Sequence, residues 1–90
     1  MLNLSLTSQF KRDLKLCKKR NYDIDILNTV VNTLRRQAPL PPKNKDHALK
    51  GNYIGWRECH IAPDWLLIYR VNGNDLYLDR TGTHADLFGI

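Results

Sequence analysis

The sequence predicts an α+β domain whose elements follow the order β-α-α-β-β-β. Two observations support this prediction. Apolar residues recur at helical spacing between residues 8 and 36, and segments rich in aromatic and β-branched residues replace them from residue 52 onward. Short turns join the later segments, which favours an antiparallel sheet with the N-terminal strand beside it. The two helices are expected to cover one face of the sheet and to leave a concave face open.

The N-terminal half is organised by alternation, capping residues and prolines. Leucines alternate with polar residues from residue 2 to residue 6, which is the period of a half-buried strand. Ser8 is placed to cap a first helix, and Asp23 is placed to cap a second one. The stretch "APLPP" at residues 38–42 ends the second helix, because proline cannot donate a backbone hydrogen bond.

Three strands are predicted in the C-terminal half, over residues 53–61, 65–72 and 75–81. The dipeptide Asn-Gly at residues 72–73 is a strong hairpin signal between the last two strands. The turn residues of "HIAPD" separate the first two, and they should bring His60 and Asp64 to the same end of the meander.

Length and composition indicate one domain over residues 1–90, because a chain of this size encloses a single core. The longest unbroken apolar run has five residues, so no transmembrane helix is expected. The chain has two cysteines and no continuous apolar stretch at its start, which favours a cytoplasmic protein with reduced thiols. The formal net charge of +5 indicates a polyanion or an acidic protein as partner, and no membrane.

The candidate chemical groups are concentrated in the second half of the chain. Its histidines lie at strand edges or in loops, where a scaffold can hold them open to solvent: His47, His60 and His84. Their spacing matches no zinc signature, and His60 with Asp64 is an incomplete ligand set, so no metal or other cofactor is expected. Cys59 should point away from His60 across its strand, as an inert core thiol.

The aromatic residues allow two interpretations. A small domain needs large buried side chains, so Trp56, Trp65 and Tyr69 are expected to pack in the core. Any of them that faces the open side of the sheet could instead stack on nucleobases.

Three motifs occur in a distinctive order after the two helices: "KDHALKG", "WRECHIAPDWLLIYR" and "DRTGTHADLFG". Together they resemble the YafQ branch of the RelE/ParE toxin superfamily, the small toxins of bacterial type II toxin–antitoxin modules. The resemblance covers essentially the whole chain. It implies a RelE-like fold and a ribosome-dependent endoribonuclease that cleaves translated mRNA.

The resemblance also implies a set of site residues and partners. The catalytic candidates carried over by position are His47, His60, Asp64, Arg80 and His84. The substrate-binding candidates are Phe88, Trp65, Lys45 and Lys50, although Trp65 is read mainly as a packing residue. Glu58 stands where relatives carry aspartate, and its role is left open. The implied partners are the ribosome, mRNA and an acidic antitoxin, through which a higher-order complex would bind operator DNA.

Positive charge is dense in the first predicted helix, and this helix is the candidate surface for ribosomal RNA. The cations concerned are Lys11, Arg12, Lys15, Lys18 and Lys19. Their number fits a protein that binds phosphates. A solvated helix face is the alternative.

RNA cleavage without a metal needs a base for the 2′-OH proton, an acid for the departing 5′-oxygen and a cation for the phosphate. Imidazole serves either proton role near neutrality, and arginine holds the phosphate. His84 is the predicted acid, whereas Asp64, His47 and His60 remain open as the base or as groups that orient it. Two rival functions are a ParE-like toxin that acts on a topoisomerase and a non-catalytic RNA-binding module.

Overall fold

The computed structural model describes residues 1–89 as a five-stranded sheet with three α-helices. The elements in chain order are β1 (Asn3–Leu6), α1 (Ser8–Lys19), α2 (Ile24–Arg35), β2 (His47–Ala48), β3 (Arg57–Ala62), β4 (Trp65–Asn72), β5 (Asp75–Gly82) and α3 (His84–Phe88). The predicted order of elements is therefore present, with β2 and α3 in addition. No helix among the described residues is long and apolar enough to cross a membrane.

The strands lie side by side in the order β1-β5-β4-β3-β2. Strands β3, β4 and β5 pair antiparallel as predicted, and the additional strand β2 pairs antiparallel with β3, but β1 runs parallel to β5. The prediction of a wholly antiparallel sheet was therefore wrong at this edge. Most of the chain separates β1 from β5, so no hairpin constrains their relative direction.

The apolar side chains form two clusters, one on each face of the sheet. The larger cluster contains the buried residues of both long helices: Phe10, Cys17, Leu27, Val30, Val31 and Leu34. On the opposite face, Leu66, Ile68 and Leu87 are buried together with partly buried Leu49, Trp56 and Phe88. The face that was predicted to be open is thus partly covered by α3 and by the chain before β3.

Local signals account for most element boundaries. Asp23 caps α2 as predicted, whereas the cap of α1 is Thr7 rather than Ser8, because Thr7 Oγ1 accepts the Phe10 N–H at 3.0 Å. The strand predicted from residue 53 begins at Arg57, since Gly51–Tyr53 forms a 3-10 turn. The hairpin between β4 and β5 is confirmed, with Asn72 paired to Asp75.

Candidate active site

Strands β2 and β3 bring a carboxylate and two imidazoles together. Glu58 and His60 are two residues apart on β3, so their side chains share one face of the sheet. The edge strand β2 pairs His47 with Glu58. Glu58 Oε1 lies 3.6 Å from His47 Nε2 and 3.8 Å from His60 Nε2, and the Glu58 side chain is 8% exposed. This buried carboxylate can stabilise a positive charge that either ring acquires.

The backbone before β2 determines which nitrogen of His47 carries a proton. His47 Nδ1 lies 2.6 Å from the carbonyl oxygen of Lys45. Because a carbonyl oxygen only accepts hydrogen bonds, Nδ1 is the donor and Nε2 of the neutral ring carries the lone pair. Lys45 has a left-handed backbone conformation with φ 47°, and this turn directs its carbonyl toward the imidazole.

His84 and Asp64 form the closest pair of predicted catalytic residues. Asp64 Oδ1 accepts hydrogen bonds from His84 Nδ1 at 2.8 Å and from the His84 backbone N–H at 3.1 Å. These bonds lower the pKa of Asp64, the side-chain bond most strongly. Asp64 is therefore a weak base that orients His84 and leaves Nε2 of that ring available for chemistry. The His60 and His84 ring centroids are 5.8 Å apart. The pair of Asp64 and His84 therefore faces the same site as the group of Glu58, His47 and His60.

Helix α3 holds His84 at its first residue, and three other side chains anchor this helix. Thr83 and Asp86 form a reciprocal capping box. The Arg20 guanidinium at the end of α1 donates to both carboxylate oxygens of Asp86, at 2.6 and 3.1 Å. A Cβ added at Gly82 would lie 2.9 Å from Asp86 Oδ2, and the backbone φ of 152° is one that other residues rarely adopt, so this position favours glycine. The sequence placed His84 at a strand edge or in a loop, whereas it is the first residue of a short helix.

Arg80 is held by a residue that the sequence analysis did not single out. Asp13 on α1 accepts from Arg80 Nε at 2.8 Å and also from the Thr81 backbone N–H at 3.1 Å. Arg80 is paired with Ile68, and Ile68 with Glu58, so Arg80 lies two strands from the Glu58 row. Its side chain remains 34% exposed and can meet a phosphate. Asp13 is the single acidic residue of α1, and this isolation was the available signal.

The predicted substrate-binding residues do not share one environment. Phe88 is partly buried and meets Tyr53 edge to face, with ring centroids 5.7 Å apart. Lys45 and Lys50 are exposed near β2. Trp65 is only 4% exposed, and its indole N–H donates to Thr81 at 2.8 Å. Trp65 therefore belongs to the core, and its assignment to substrate binding is corrected.

One group of residues in the described part of the chain can hold a metal ion. Glu58, His60 and His84 each offer one ligand atom, and these atoms lie within 4.8 Å of one another. His60 and Asp64 were the pair of ligands suggested by the sequence, but Asp64 accepts a hydrogen bond from His84 and is not in this group. One carboxylate and two imidazoles are a ligand set that suits copper or zinc.

The remaining predicted residues have simple surroundings. All five candidate ribosome-binding cations of α1 are exposed: Lys11, Arg12, Lys15, Lys18 and Lys19. Cys59 is fully buried, and burial raises the pKa of its thiol to about 12. The burial of Cys59 confirms the expectation of a core thiol, and the raised pKa disfavours its reactive thiolate form.

The chain matches a protein family along almost its whole length. The profile of the family described as "Bacterial toxin of type II toxin-antitoxin system, YafQ" matches residues 2–89. The chain belongs to the YafQ toxin family. The mRNA interferase toxin YafQ of Escherichia coli K12 is 41% identical over 88 residues, which are 97% of this chain and 96% of that protein.

Solved structures of YafQ-family and similar toxins share the fold. A copper-bound mutant toxin of Helicobacter pylori has a TM-score of 0.95 and 44% identity, over 98% of this chain and 100% of that chain. The E. coli DinJ-YafQ toxin–antitoxin complex has a TM-score of 0.89 and 40% identity, over 98% of both chains. The family prediction made from the three motifs is thereby confirmed.

Proposed function

We propose that this YafQ-family toxin is a ribosome-dependent endoribonuclease that cleaves translated mRNA by attack of the 2′-OH on the adjacent phosphate. The observation that carries the proposal is the pair of His84 and Asp64 facing His60 across 5.8 Å between ring centroids. Two imidazoles at this separation can serve the two sides of one phosphate as base and acid. The curated E. coli relative, at 41% identity, is an mRNA interferase toxin.

The surroundings of each group support separate roles. His84 is the general acid, because Asp64 holds its Nδ1 proton and stabilises the charged ring that delivers a proton from Nε2. The base is the imidazole of either His47 or His60. Both rings lie beside Glu58, and this buried carboxylate stabilises the charge that the base gains with the 2′-OH proton. Arg80, held by Asp13, neutralises the phosphate in the transition state.

Single-turnover cleavage of mRNA on programmed ribosomes tests this proposal. His84→Ala should lower the rate at saturating protein by roughly a hundredfold or more and leave ribosome binding nearly intact. Asp25→Asn is a matched control, because Asp25 is exposed on α2. Comparison of His47→Ala with His60→Ala identifies the base. A variant at His84 that cuts at the wild-type rate would contradict the assigned acid.

The same assay separates the two rival functions. A topoisomerase toxin would leave ribosome-bound mRNA intact and would block the topoisomerase, and an RNA-binding module would bind without cutting. Free RNA should be cleaved weakly or not at all, because orientation by the ribosome supplies much of the barrier reduction. Rapid, site-specific cutting of naked RNA at low protein concentration would contradict the ribosome dependence.

We further propose that cleavage is independent of metal and that a metal ion at Glu58, His60 and His84 inhibits it. Coordination would occupy the imidazole lone pairs that proton transfer needs. A mutant of a similar toxin of H. pylori is copper-bound. Full activity in a chelator, with loss of activity on adding copper, is the expected result. Loss of activity in the chelator would overturn metal independence.

The proposed setting is the cytoplasm, where translated mRNA is found. An acidic antitoxin is the proposed partner that silences the enzyme, and the antitoxin would connect the complex to operator DNA. The toxin–antitoxin complex of the E. coli relative supports this partner. The net charge of +5 suits an acidic segment that folds as it binds.

A further inference from the structure

Beyond the histidines, the sheet carries a compact cluster of aromatic and cationic side chains around one carboxylate. The Arg70 guanidinium carbon lies 4.2 Å from the centroid of the Tyr77 ring and 5.9 Å from that of Trp56. Asp79 Oδ2 accepts from Trp56 Nε1 at 2.9 Å and from Arg70 Nε at 3.2 Å. All four residues are partly exposed. The proposed reaction uses none of them.

Strand register places this cluster on the face that carries the catalytic residues. Arg70 pairs with Tyr77, and it follows Leu66 and Ile68 on β4 at intervals of two residues, so the three β4 side chains share a face. His60 pairs with Leu66 on the same face. Arg70 therefore lies four residues along β4 from the His60 row, a distance of about 13 Å.

The cluster is continuous with the catalytic end of the molecule. Trp56 and Phe88 both pack against the buried cluster formed by Leu66, Ile68 and Leu87. Phe88 lies four residues, or about one helical turn, after His84 on α3. Aromatic side chains thus follow this face of the sheet from the proposed acid toward the hairpin between β4 and β5.

The chemistry of the cluster fits a nucleobase better than a phosphate. Asp79 offsets the charge of Arg70 and uses one of its donors, so the guanidinium is a weak anchor for an anion. Its flat face, stacked on Tyr77, and the indole of Trp56 are instead surfaces on which bases stack. Such stacking needs no particular base, because every base presents a flat π-face.

We propose that Trp56, Arg70 and Tyr77 form a subsite that stacks an unpaired base of the mRNA a few nucleotides from the cleaved bond. The proposal rests on the proposed endoribonuclease function, because that function brings single-stranded RNA onto this face. The subsite would hold the strand in position while the histidines act. It would affect substrate affinity more than the rate of the chemical step.

Tryptophan fluorescence gives a direct test, because the chain has two tryptophans and Trp65 is buried. In a His84→Ala background, a short oligoribonucleotide should quench the signal of Trp56, and an abasic chain of equal length should not. Trp56→Phe should abolish the quenching. Equal quenching by the abasic chain, or no quenching, would overturn the subsite, and this result does not depend on whether the wild-type protein cleaves RNA.

Kinetics on programmed ribosomes supply the second measurement. Tyr77→Leu should raise the KM for mRNA cleavage roughly tenfold to a hundredfold and change kcat little, while Tyr77→Phe, which keeps the ring, should behave as wild type. Mapped crosslinks from 4-thiouridine in the mRNA should reach Trp56 or Tyr77. An unchanged KM for Tyr77→Leu, or crosslinks from ribosomal RNA in place of mRNA, would refute mRNA occupancy.

Discussion

At the scale of single residues, hydrogen-bond partners distinguish candidate catalytic side chains whose roles the sequence left open. The sequence left Asp64 as a candidate base, but its bonds to His84 lower its pKa and favour the proposed orienting role. His47 donates from Nδ1 to the Lys45 carbonyl, which leaves Nε2 for proton transfer. Glu58, whose role was open, lies within 4 Å of two imidazoles. The division of roles therefore follows from contacts rather than from residue type.

Asp64→Asn tests the orienting role. Asparagine can still accept the His84 backbone N–H but carries no charge to stabilise the imidazolium, so we expect single-turnover cleavage to slow by about tenfold to a hundredfold. Ribosome affinity should stay the same, since Asp64 is proposed to act on His84 alone. A cleavage rate equal to that of the Asp25→Asn control would contradict the role.

At the scale of elements, short segments between the predicted strands and helices position the candidate catalytic side chains. Helix α3 has five residues and α1 reaches it through the Arg20–Asp86 ion pair, while Asp13 of the same helix holds Arg80. The exposed cations of α1 face solvent, whereas Asp13 within the helix and Arg20 directly after it hold the segments that carry the candidate residues Arg80 and His84. The pattern Thr83-x-x-Asp86 was a readable capping signal for α3.

Asp86→Asn tests how α3 is anchored. The hydrogen bonds from Arg20 lower the pKa of Asp86 below its ordinary range. A carboxylate with a depressed folded-state pKa contributes stability above the unfolded value near 3.9 and loses it as the pH falls toward the folded value. Because solvent screens this exposed ion pair, we expect the variant to lose at most about 1 kcal/mol of unfolding free energy at pH 7 and to show a flatter decline below about pH 4.

Urea unfolding between pH 2 and pH 7 measures this difference. Arg20→Gln should reproduce most of the loss at pH 7, because it removes the same ion pair. Wild-type and Asp86→Asn curves that run parallel through the acid range would show that Asp86 contributes no linked stability.

A second prediction at this scale concerns the exposed cations of α1 and their contribution to ribosome binding. Replacing Lys15, Lys18 and Lys19 by glutamine should weaken ribosome binding and reduce the slope of log affinity against log salt by about two to three. Matched substitutions of Arg36 and Lys43, exposed cations outside α1, should have little effect. If the slope is unchanged, the cluster is a solvated helix face.

At the scale of the whole molecule, charge and the placement of the site determine the choice of partner. A basic domain with its imidazoles on one face is suited both to RNA and to an acidic protein that competes for that face. The imidazoles of His47, His60 and His84 converge on one region, with Glu58 beside two of them. A partner that covers this region would therefore block substrate and catalysis together.

Binding of the cognate antitoxin should cover or disorder the rim bearing His47, His60 and His84. Equimolar antitoxin is expected to abolish mRNA cleavage and to alter amide hydrogen exchange around β2 and α3. The surface variant Asp25→Asn should bind the antitoxin as wild type does, and its cleavage should be silenced equally. A complex with full nuclease activity and an open rim would refute this mode of silencing.

The sequence by itself determined the α+β class, the two long helices, the long strands and the toxin family, because periodicity, capping and motifs are local in the chain. It also supplied the three histidines as candidates for the site. Only the tertiary structure decided the parallel direction of β1, the partners of Asp13 and Asp86, and the burial of Trp65. Asp13 and Arg80 are 67 residues apart, and Arg20 and Asp86 are 66 apart. Contacts at such separations depend on how the helices pack against the sheet, and no local pattern encodes that packing.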